Sequence, residues 1–101
     1  MRRFNDMGEV RRAHREIGGH FFDPASTRFF NSRVGSILYD GRFFITSEKF
    51  DDDSLRLYTI RIAESDGHIG TVGDFQGFRT AAQAVAAIHR IIQWEEAAAA
   101  A

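Results

Sequence analysis

At 101 residues, with 44% apolar and 13% aromatic side chains, the chain is long enough for one domain with a real core and too hydrophobic to stay disordered. Its formal net charge of −1 lacks the overall basic footprint of a nucleic-acid binder. The absence of cysteine removes a disulfide framework, a thiol nucleophile and every cysteine-based zinc site, in keeping with a reducing cytoplasm.

The charge is uneven. Residues 1–42 carry eight arginines against five acids, and residues 43–101 carry five basic groups against nine acids. Twelve of the thirteen basic residues are arginine, whose planar fork pairs bidentately and stacks on rings. The start, Met1-Arg2-Arg3-Phe4, is basic but no apolar run follows it, so it does not read as a signal peptide. No uncharged apolar stretch reaches the roughly 20 residues of a membrane helix, and no membrane partner is expected.

In chain order, residues 6–17 read as a helix. Asp6 and Glu9 form a capping box with a carboxylate in place of the hydroxyl, and Met7, Val10, Ala13 and Ile17 make one apolar stripe. Gly18-Gly19 stops it. Asp23-Pro24 opens a second helical segment over about 23–32, with Asp23 as cap and Pro24 at the first helical position. Strands are expected from Ser36 onward, with Tyr39-Asp40-Gly41-Arg42 as a type I′ hairpin turn leading into a strand over 42–48. A polar loop around Asp51-Asp52-Asp53 leads to a strand over 57–63, with Tyr58, Ile60 and Ile62 on one face and Thr59 and Arg61 on the other. After the Asp66-Gly67 turn, residues 68–75 read as a fourth, glycine-weakened strand. Thr80 and Gln83 cap a final helix running to about Trp94, with Ala81, Ala84, Val85, Ile88 and Ile92 as its buried stripe. The expectation is a single α+β domain over residues 1–96. It has two N-terminal helical segments, a four-stranded antiparallel meander and a C-terminal helix packed on the sheet, while the alanine run 97–101 is left outside the fold.

Seven of the ten phenylalanines fall within residues 21–50, and six of those seven are adjacent pairs: Phe21-Phe22, Phe29-Phe30 and Phe43-Phe44. Neighbouring side chains point to opposite faces of a strand and diverge by about 100° on a helix. One core cannot bury both members of every pair, so the pattern calls for a second buried face or a binding surface.

No chemistry-bearing constellation emerges. His14, His20, His68 and His89 have no second ligand at metal spacing, and the acidic loop fails the EF-hand pattern because Arg56 and Ile62 fall where glycine and glutamate are needed. Gly67, Gly70, Gly73 and Gly77 fit no phosphate loop, and neither Ser32 nor Ser47 sits in a nucleophile elbow. No catalytic, cofactor or metal residue is assigned. An enzyme would need convergence of distant groups such as His20, Asp23, Tyr39 and Glu48. The helix–meander–helix order is similar to that of double-stranded RNA-binding domains, but residues 80–87 carry no charge where those domains have a basic cluster.

The run Thr27-Arg28-Phe29-Phe30-Asn31-Ser32-Arg33, followed by Gly41-Arg42-Phe43-Phe44-Ile45-Thr46-Ser47-Glu48, resembles a family of small proteins carried by actinobacteria, other bacteria, bacteriophages and mobile elements. Tyr58-Thr59-Ile60-Arg61 and Thr71-Val72-Gly73-Asp74-Phe75 extend the resemblance more loosely. The resemblance implies a phage-type accessory setting and brings no activity, cofactor or partner with it. The function expected is a non-enzymatic interaction module that binds a host protein, one concrete form being an inhibitor of a bacterial defence system; self-association as a homodimer is the other partner considered. Arg28, Phe29, Phe30 and Arg33 are its expected contact surface. The alternative is a nucleic-acid-binding domain that uses Arg11, Arg12 and Arg15.

Overall fold

The computed structural model describes residues 3–100; Met1 and Arg2 of the basic start and Ala101 of the alanine run lie outside the described residues. Helix α1 (Met7–Glu16) starts where the capping pattern places it. Asp6 accepts the Glu9 N–H at 2.9 Å, while the Glu9 carboxylate accepts the N–H of Asn5, one residue before the cap. Met7, Val10 and Ala13 are buried; Ile17, expected in that stripe, caps the helix and is exposed, and His14 takes the buried position instead. Helix α2 (Pro24–Phe29) is shorter than expected because Asn31 turns into the left-handed region, φ 49°. The Asp23 carboxylate does not cap it: the N–H groups of Ser26 and Thr27 go to the Asp23 carbonyl, and the carboxylate is 2.7 Å from His20 Nδ1.

Strands β1 (Arg33–Val34), β2 (Phe43–Glu48), β3 (Leu57–Ala63) and β4 (Ile69–Val72) form one antiparallel meander in chain order, as the sequence pattern predicts. The first strand lies at 33–34, paired with Ser47 and Thr46, and not from Ser36 onward. Past β1, Gly35 N–H donates to the Ile45 carbonyl at 2.8 Å and Tyr39 pairs with Phe43 in an isolated bridge, while residues 36–38 between them lie outside any strand. Leu38 packs into one core and Tyr39 into the other, as neighbours on an extended chain do, and Ile37 is exposed. The Asp-Gly turn has its predicted signature: Asp40 and Gly41 both have positive φ, and Arg42 N–H donates to the Tyr39 carbonyl at 3.0 Å. β4 stops at Val72 because Gly73 turns the chain with φ 74°.

Helix α3 (Ala81–Ala100) packs on the sheet and continues past Trp94 through the exposed alanines 97–100. Thr80 accepts the Gln83 N–H, and the Gln83 side chain reaches the Arg79 N–H. Ala84, Ala87 and Ile88 form its buried line; Ala81 is exposed.

Period-two alternation places Phe43 and Phe44 on opposite faces, and each face has its own core. Phe43 and Ile60 pack under α3 with Ala84 and Ile88. Phe44 and Ala63 pack under α1 with Phe4 and Val10, and Phe21 and Phe22, in the turn before α2, close over Phe44 at 6.2 and 5.9 Å. His14 fastens this second layer. Its Nδ1 lies 2.8 Å from the Gly67 carbonyl, which can only accept, so Nε2 is left to accept the Phe21 N–H at 3.0 Å. Gly67 permits the approach: φ is +102°, and a Cβ there would lie 2.7 Å from the Ala13 carbonyl oxygen.

Candidate functional site

The face under α1 changes character along its length. Phe44 and Ala63 make it apolar at one end, and two residues on in each strand Thr46, Glu48, Thr59 and Arg61 make it polar. Glu48 is only 1% exposed, and a carboxylate buried so far needs partners. Thr59 Oγ1 donates to one oxygen at 2.7 Å and Arg61 Nη2 to the other at 3.2 Å. Arg61 also donates from Nε to Thr46 at 3.0 Å and from Nη1 to Thr71. Its guanidinium lies over two rings, 5.2 Å from the Phe21 centroid and 5.5 Å from that of Phe75.

These groups form the floor of a recess of ≈ 200 Å³ walled by Phe21, Phe30 and Phe75, with Ser26, Thr27 and Ser32 along one side. The wall segments are held by backbone and side-chain hydrogen bonds. Lys49 N–H donates to the Phe30 carbonyl at 2.8 Å, and Arg56 Nη1 bridges the Asn31 carbonyl to Ser47. On the far side, Gln76 N–H donates to Thr59 Oγ1 and its amide to the Glu48 carbonyl, which pins the Phe75 loop over β2 and β3. The four stretches that carry the family resemblance meet here: Thr27, Phe30 and Ser32 from the first, Thr46 and Glu48 from the second, Thr59 and Arg61 from the third, Thr71 and Phe75 from the fourth.

A rim of rings stands outside the recess. Phe30 is its hub, edge-on to Phe29 at 4.6 Å and Phe50 at 5.5 Å and tilted on Phe75 at 5.6 Å. Phe29 is 76% exposed, Phe50 66% and Phe75 41%. Neither core includes them.

The expected contact set is therefore divided. Phe29 and Phe30 belong to this rim, and Arg28 is exposed on α2 beside them. Arg33 sits opposite Ser47 on β1 and lines an apolar groove on the α3 face with Tyr39, Tyr58 and Val85. Phe50 and Phe75, which complete the rim, were not singled out by the sequence, because they arrive from two distant loops with no local signal. Arg12 and Arg15 are exposed on α1, Arg11 lies over Phe22 at 4.7 Å, and among the described residues none of the three pairs with a carboxylate.

The polar groups considered for an enzyme do not converge. His20 and Asp23 pair at the surface, Tyr39 lies in the α3 core near His89, and Glu48 is on the opposite face of the sheet. The Ser54 hydroxyl and the Asp53 amide hold the Asp51 carboxyl below the usual carboxylate range, so the acidic loop uses that carboxylate internally. Among the described residues no group of three His, Asp or Glu is placed to hold a metal ion, and no helix is long and apolar enough to cross a membrane.

A family model described as "Family of unknown function (DUF7447)" matches residues 6–89, a span that contains the recess and the rim. No curated protein and no solved structure matches the chain.

Proposed function

The chain belongs to this family of unknown function, and on that premise we propose that it is a non-enzymatic interaction module that docks on a protein through the aromatic rim. The observation that carries the reading is the exposure of Phe29 and Phe50 around Phe30, outside both cores. Rings with a neighbouring arginine are the composition that interface hot spots favour, and Arg28 supplies the arginine. Bacteriophage or mobile-element origin, implied by the resemblance, makes a cytoplasmic host protein the expected partner, and a component of a host defence system the specific candidate. A second copy of the chain is the other partner to test.

Affinity capture from a bacterial host, run beside size-exclusion chromatography of the pure protein, tests this. Phe29→Ala is expected to weaken capture of a defined partner at least tenfold, of the order typical for a hot-spot residue. Undiminished capture by Phe29→Ala, at unchanged stability, contradicts the proposal.

The three arginines of α1 without carboxylate partners support a second reading, nucleic-acid binding through Arg11, Arg12 and Arg15. It predicts affinity that falls steeply with salt, the logarithmic slope being about −0.9 per phosphate contacted on duplex DNA. No retention of DNA or RNA in a low-salt anisotropy titration removes it.

A further inference from the structure

We propose that the recess beneath the rim is a nucleobase pocket, with guanine the preferred base. The recess shares the Phe30 and Phe75 rings with the docking rim, but its ligand is recognised by Glu48 and Arg61, so the inference does not depend on that reading. Size sets the first bound. Pockets for drug-sized ligands occupy about 300–1,000 Å³, so ≈ 200 Å³ suits a ring-sized group better than a whole cofactor.

The floor sets the second. Arg61 has five N–H groups and uses three, on Thr46, Thr71 and Glu48. Glu48 has about four lone-pair directions, and Thr59 and Arg61 take one on each oxygen. The pair therefore keeps unused donors beside unused acceptors, and both residues line the cavity. Because Glu48 already neutralises Arg61, a phosphate or carboxylate ligand on the remaining Arg61 donors would lie beside the Glu48 carboxylate and be repelled by it. A neutral ligand with donors and acceptors along one edge meets no such repulsion. The walls set the third bound: the rings of Phe21, Phe30 and Phe75 favour a flat π-system between them.

A nucleobase meets all three conditions. Guanine fits best because one edge carries two adjacent N–H donors, at N1 and N2, for the two Glu48 oxygens, with O6 beside them for Arg61. The same base is presented by a free nucleoside or by a nucleotide within a single strand; Ser26, Thr27 and Ser32 along one side are placed to meet its sugar edge in either case.

NMR titration of the isotope-labelled full chain with guanosine, adenosine, cytidine, uridine and the pentaribonucleotide UUGUU tests the proposal. Guanosine or UUGUU is expected to shift the ring signals of Phe30 and Phe75 and the methyl of Thr46, with weaker shifts from the other nucleosides. A response to guanosine identifies a free nucleoside as sufficient; a response to UUGUU alone identifies a base within a strand. Glu48→Gln is expected to lower that affinity at least tenfold, and Phe29→Ala, which does not line the recess, to leave it within twofold. Should Glu48→Gln not fold, Phe75→Leu removes one wall and is expected to lower affinity at least fivefold. No shift at millimolar concentrations of any of the five probes overturns the proposal, as does uridine binding as well as guanosine or unchanged affinity in the folded variant. Loss of partner capture by Phe29→Ala with guanosine binding retained separates the two sites.

Discussion

Replacing Phe44 by alanine removes a fully buried ring that Phe21, Phe22 and the α1 residues enclose. The expected cost is about 3–5 kcal/mol in denaturant unfolding, from lost burial plus a cavity the neighbours fill incompletely. Glu48→Ala should be comparably severe, about 3–5 kcal/mol, because it leaves Arg61 partly buried without its counter-charge and Thr59 without its acceptor. Glu48→Gln keeps an oxygen for Thr59 and is expected to cost measurably less in the same assay. At this scale the pattern of alternation already placed Phe43 and Phe44 on opposite faces and put Thr59 and Arg61 together. It gave no sign that Glu48 would be their partner, since that contact joins residues 48 and 61 across two strands whose register is fixed by a loop without a turn signature of its own.

Elements opened by strong caps begin where the sequence places them. Asp6 begins α1, Thr80 precedes α3, and β3 occupies its predicted span, while β4 stops three residues short of its predicted end at the Gly73 turn. Elements bounded by packing do not. β1 is two residues at 33–34 because the stretch from Gly35 to Tyr39 is longer than the facing stretch from Phe43 to Ile45 and bulges between its two pairings, an interruption no local periodicity announces. α3 outruns its predicted end because alanine is the strongest helix former and nothing in the run stops it. The Asp66-Gly67 turn is the junction on which α1 depends. Gly67→Ala combines an unfavourable φ of +102° with a Cβ contact of 2.7 Å to the Ala13 carbonyl oxygen. It should destabilise the protein by more than about 1 kcal/mol, read as a lower unfolding midpoint at unchanged slope.

Taken whole, the molecule resolves the problem set by its paired phenylalanines in two ways at once. α3 covers one face of the meander and α1 with the 17–22 turn covers the other, so Phe43 and Phe44 are both enclosed. A turn, unlike a strand, lets Phe21 and Phe22 serve the same layer. Phe29, Phe50 and Phe75 remain outside, gathered on Phe30 at the polar end of the α1 face. The strand order and the α+β class could be read from turn and cap signals; which rings would be left over depended on how two loops close over the sheet, and that was not written locally. A rim that lies outside both cores is dispensable for folding. Equilibrium urea unfolding of the Phe29→Ala/Phe50→Ala double variant beside the wild type is the decisive measurement. Unfolding free energies are expected to agree within about 1 kcal/mol, as for two surface substitutions of about 0.5 kcal/mol each. A loss approaching that of Phe44→Ala would contradict this, because the rim would then be part of the core.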